Sequence, residues 1–76
     1  MNLSKSIKNK IYKILNIDAP DEALNSRLFQ LGFNVGCTIL LKRKAPFFGD
    51  PLLFEIGESQ IALTKLEASY ILVEEV

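Results

Sequence analysis

The stretch from Arg27 to Gly36, Arg-Leu-Phe-Gln-Leu-Gly-Phe-Asn-Val-Gly, constrains this chain more than any other. Leu24, Leu28 and Leu31 stand at i, i+4 and i+7, which puts three leucines on one face of a helix. Gly32 follows the last of them, where a helix ends best on a residue free to take a left-handed backbone. Gly36 marks a second turn before the apolar run that begins at Thr38. A short helix therefore ends, the chain reverses and a strand begins. The start of the helix is equally legible. Asp18 is the expected cap, Pro20 sits where a missing N–H costs nothing, and Asp21 and Glu22 favour the positive end of the helix dipole.

The other segments read as strands around that corner. Ile11 to Ile17 is β-branched and aromatic, with apolar side chains on both faces, so it is expected to lie between the core and a neighbouring element. Thr38 to Ala45 begins apolar and ends in Lys42-Arg43-Lys44, a strand leaving the core for solvent. Leu52, Phe54 and Ile56 alternate with Leu53 and Glu55, and Ile61 and Leu63 continue the pattern beyond a turn at Gly57-Glu58-Ser59. Thr64 to Ala68 reads as one helical turn, and Ile71 and Val73 as a last short strand. Met1 to Lys10 is polar, with Leu3 and Ile7 its clear anchors besides Met1, and is expected to be a solvated lead-in.

These elements predict a mostly β fold, a small, partly open SH3-like barrel of five strands with one short α-helix and a helical turn before the last strand. Closing the sheet removes exposed edges. At 76 residues the chain has room for one domain, spanning 1–76. The expected core is Leu28, Leu31, Ile39, Leu41, Leu52, Phe54, Ile56, Ile61, Leu63, Ile71 and Val73, with Cys37 a buried, unreactive filler.

Composition excludes more than it suggests. Nine basic and nine acidic residues cancel, so no bulk electrostatic attraction to nucleic acid or anionic membrane exists. There is no histidine to serve as a general base near neutral pH, and the acidic pairs Asp21-Glu22 and Glu74-Glu75 are adjacent in sequence and point apart. One cysteine provides neither a disulfide nor metal-ligand spacing. Glycines fall singly at turns, so no phosphate loop is present. No cofactor and no metal site are expected. The N-terminal lysines precede no apolar signal core, and no run approaches the ~20 apolar residues of a spanning helix, so a cytoplasmic setting is expected.

Arg27-Leu28 with Leu31-Gly32-Phe33 and Gly36, then Ala45-Pro46, Gly49-Asp50-Pro51, Ile61-Ala62-Leu63, and Glu67-Ala68 with Ile71 and Val73, together resemble the FeoA family of small SH3-like proteins of bacterial ferrous iron transport. The resemblance covers roughly residues 7–74, and the joint order of the motifs makes it specific. Val35 stands where the family often has proline, and Thr64 where an arginine is common. The same barrel also occurs as a C-terminal domain of iron-dependent repressors. The resemblance implies a non-enzymatic accessory of the FeoB membrane permease and its GTPase domain, and it does not imply that the chain itself binds iron.

The expected contact surface is the loop carrying Pro46, Phe47, Phe48 and Asp50, closed by Pro51. Two adjacent aromatics in an extended segment point to opposite sides, so one ring is expected on the surface, in contact with FeoB or with another copy of the chain. The alternative is a nucleic-acid-binding barrel using Lys5, Lys8, Lys10, Lys13 and the Lys42-Arg43-Lys44 run, against which stand the neutral charge and the lack of an aromatic platform among those lysines.

Overall fold

The computed structural model describes residues 1–46 and 48–76. A 3-10 turn over Leu3–Lys5 leads into β1 (Ile11–Ile17), α1 (Glu22–Gln30), β2 (Thr38–Lys44), β3 (Leu52–Ile56), β4 (Ser59–Leu63), α2 (Lys65–Ser69) and β5 (Ile71–Glu75). The five strands make one antiparallel sheet in the order β4-β3-β2-β1-β5.

Two bulges coil this sheet. Register shifts between Ile14 and Asn16 in β1 and between Leu41 and Arg43 in β2, and each extra residue bends its strand and sharpens the twist. The coil does not close into a hydrogen-bonded barrel, which corrects the expectation that closure removes the edges. β4 and β5 remain as the two edge strands. Side chains stop the gap instead: α2 joins the edges and packs against the 3-10 turn, with Leu3 and Ala68 fully buried. Glycine sets the hairpin between β3 and β4, where Gly57 takes φ +58° in a two-residue turn opposite paired Ile56 and Ser59.

The helix ends where the leucine spacing predicted. The Gly32 N–H donates to the Phe29 carbonyl and the Phe33 N–H to the Leu28 carbonyl, both at 3.0 Å, with Gly32 at φ +103°. This paired closure satisfies two terminal carbonyls and turns Phe33 into the core beside Leu28. At the other end the cap is Asp21 rather than Asp18: its carboxylate accepts from the Leu24 N–H at 2.8 Å. Asp21 has the extended backbone a capping residue needs, whereas the Asp18 N–H donates to the Tyr70 carbonyl and belongs to the sheet end.

Most of the expected core is buried, but Leu31 and Ile61 are only half-buried against it. Leu3, Tyr12, Ile14, Phe33 and Ala68 are core members that periodicity did not single out. Two local expectations are corrected. β1 is not covered on both faces, since Ile11 and Leu15 are exposed while Tyr12 and Ile14 point inward. Cys37 is half-buried at the margin of the core rather than inside it.

The lead-in is docked rather than frayed. Val73 N–H donates to the Met1 carbonyl, Asn2 bridges to Leu72, and the Ile7 N–H donates to the Tyr12 hydroxyl. Leu3 anchors the segment in the core, and Met1 and Asn2 pair with the free edge of β5.

Candidate functional site

Between β2 and β3 the chain leaves the sheet, and the Ala45 N–H closes the base of the loop on the Pro51 carbonyl at 3.0 Å. Pro46 is exposed on the way out. Phe48 and Gly49 then take left-handed backbones, φ +59° and +67°. For glycine that is free; for phenylalanine it costs on the order of 1 kcal/mol and persists only when neighbours hold it. Lys65 of α2 does so. Its Nζ donates to the Phe48 carbonyl at 2.7 Å, and its backbone N–H donates to the Asp50 carboxylate at 2.9 Å.

The result is a fastened tip carrying a bare aromatic ring: Phe48 is 94% exposed. Of the expected contact residues, Phe48 and Pro46 lie on the surface, and Phe47 lies outside the described residues. Asp50 has a role the sequence did not reveal. It satisfies the first free N–H of α2 and so holds the tip in place.

α2 is itself tied down from both sides. Thr64 and Glu67 form a reciprocal capping box, the Thr64 hydroxyl accepting from the Glu67 N–H and the Glu67 carboxylate from the Thr64 N–H. The Arg27 guanidinium of α1 reaches the same carboxylate. The Thr64 N–H first, and Arg27 after it, hold the Glu67 carboxyl below its ordinary value. Thr64, which stands where an arginine is common in the family, thus serves as a cap.

A second surface escaped the sequence reading. Ile17, Phe33 and Val35, with Asn25, Ser26, Phe29 and Gln30 of α1, line an open groove of about 700 Å³. Phe29 and Val35 are 68% and 65% exposed. The signal was available in the helix pattern, because Phe29 sits off the leucine stripe among Ser26 and Gln30, an aromatic on an otherwise polar face.

Two of the basic residues named for the alternative nucleic-acid surface lie against acids. Lys10 pairs with Glu75 at 2.8 Å, and Lys42 approaches Glu55 at 3.9 Å. Among the described residues, no three His, Cys, Asp or Glu side chains come together as a metal-holding group, and no helix is long and apolar enough to cross a membrane.

A coiled, open five-stranded sheet stoppered by a short helix defines a small SH3-like domain. The FeoA domain family matches residues 1–75, and the chain belongs to that family. It is 37% identical over 79 residues to an Fe(2+) transport protein A of Helicobacter pylori strain J99, covering 99% of this chain and 95% of that protein. The iron(II) transport protein A of Clostridium thermocellum superposes with a TM-score of 0.91 at 36% identity, covering 100% of this chain and 46% of that one, so the chain spans less than half of its length. Stenotrophomonas maltophilia FeoA, a prokaryotic SH3-domain protein complexed with zinc, superposes with a TM-score of 0.85 at 29% identity, covering 97% of this chain and 89% of that one. Family and SH3-like fold thus stand as the sequence predicted.

Proposed function

We propose that residues 1–76 act as one unit, a non-enzymatic cytoplasmic accessory of ferrous iron uptake that works by protein contact with a FeoB-like membrane permease. Family membership supplies the transport system. The observation that carries the mode of action is the Phe48 ring, 94% exposed on a tip fastened by Lys65 and Asp50. A large apolar ring kept in water by a backbone conformation that costs energy is poorly explained by stability alone. Held in one place, it loses little freedom on binding, which is how a small surface gains affinity. The chemistry asked of the chain is recognition and positioning, with no cofactor of its own.

The test is capture of a FeoB-like permease from detergent-solubilised membranes by the tagged chain, compared with Phe48→Ala. Circular dichroism should show both folded. Capture should fall by about tenfold or more in the variant, as expected for an aromatic anchor. A folded variant that captures the permease as well as the parent removes this tip from the contact.

A further inference from the structure

The chain carries both halves of a contact, and we propose that the groove along α1 receives the Phe48 tip of a second copy. This rests on the reading of Phe48 as a contact residue. The Phe48 ring at the tip is flanked by cations, since Lys44 and Lys65 side chains both approach Gly49 beside it. Asp50, the acid of this loop, is engaged by the Lys65 backbone N–H. The groove has the opposite character. Its apolar floor and sides are Ile17, Phe29, Phe33 and Val35, and no charged residue lines it. Acids stand at its end instead: Asp18 follows Ile17 in the chain, while Glu22 lies one turn before Ser26 on the same helix. A basic rim around an apolar knob therefore meets an acidic rim around an apolar slot, and opposite rims fix the register of such a contact.

The two halves cannot meet within one molecule. The tip is fastened to α2, and α2 is joined to α1 through Arg27 and Glu67. Arg27 lies about 160° around the helix from Asn25 and Phe29 and about 100° from Ser26, so the side of the groove carrying Phe29 faces away from α2. The contact is thus between copies, reciprocal in a two-fold dimer or head-to-tail in a ring or open chain. It also hides Phe48, so assembly and permease capture compete for one ring.

Sedimentation velocity across a concentration series on the order of 10 μM to 1 mM tests this. The parent should show concentration-dependent species larger than a monomer, weakened by added salt. Phe48→Ala (slot without knob) and Phe29→Ser (knob without slot) should each lose that assembly by about tenfold or more. Mixed one to one, they should form a heterodimer and nothing larger, because each supplies the half the other lacks. A parent that stays monomeric, variants that assemble like the parent, or a mixture that stays monomeric would each overturn the proposal. A monomeric parent that still captures the permease through Phe48 would defeat only the self-contact, and intact assembly without capture only the permease reading.

Discussion

Leu28→Ala is the sharpest test of how this fold is held. Leu28 is fully buried, and its carbonyl accepts the Phe33 N–H that closes α1, so one residue fixes both the helix end and its seat on the sheet. Truncation removes three carbons from the core, worth about 2.4 kcal/mol at ~0.8 kcal/mol each. The cavity left behind adds roughly 1 kcal/mol, because closely packed neighbours collapse only in part. The sum is about 3.4 kcal/mol. A domain of 76 residues has roughly 4–11 kcal/mol in total, so the variant should lose from about a third to most of it. In urea, with a slope of about 1 kcal/mol per molar, the midpoint should fall by roughly 3 M. Phe29→Ala is the control: one position along the same helix but 68% exposed, it should cost less than about 0.5 kcal/mol. A Leu28→Ala loss below about 1 kcal/mol, or equal losses at the two positions, would refute the placement of α1 as the plug of the sheet.

Asp50→Ala should free the tip, costing about 1 kcal/mol and speeding limited proteolysis of the loop between β2 and β3; unchanged cleavage would mean that Lys65 Nζ alone holds it. The pH dependence has a definite sign at Glu67. Its carboxyl is held below the ordinary value of 4.5, so its stabilisation is complete above that value and is lost as pH falls through the folded pKa. The stability gap between parent and Glu67→Gln should therefore shrink as pH falls below 4.5, and a gap that stays constant in acid denaturation would contradict the capping role. With no histidine and a single thiol, anaerobic calorimetry with ferrous iron should give no stoichiometric micromolar site, and finding one would show that the chain handles the metal itself.

What could be read from the chain depended on whether a signal was local. The Leu24-Leu28-Leu31 stripe with Gly32, the alternation in β3 and the helical turn read at Thr64 to Ala68 are short-range patterns, and each gave its element in the right place. Leu3 could be read as an anchor beside Ile7 but not as a core member, because its partners, Ala68 and β5, lie more than sixty residues away and a lone leucine among polar neighbours has no period to reveal it. The open edge is a similar case. Whether β4 meets β5 depends on bulges at Leu15 and Lys42 and on the bulk of α2 between the strands, none of which leaves a pattern in the sequence. The loop was legible as a loop, from its prolines and glycine, but not Asp50's use as a cap for a helix fifteen residues on.

That last contact explains why the candidate surface sits where it does. A loop of this size could point its aromatic ring anywhere, and the apolar core would gain by taking it in. Four polar links prevent this in sequence: Arg27 to Glu67, Glu67 to Thr64, the Lys65 N–H to Asp50, and Lys65 Nζ to the Phe48 carbonyl. Each is exposed at the surface and individually modest in water. Strung together through one five-residue helix, they make the position of Phe48 depend on α2 and, through Arg27, on α1. The helix that stops the open sheet is therefore the same element that presents the ring. Loosening it should disturb the tip before it disturbs the core, because Leu28, Phe33 and Phe54 pack independently of all four links.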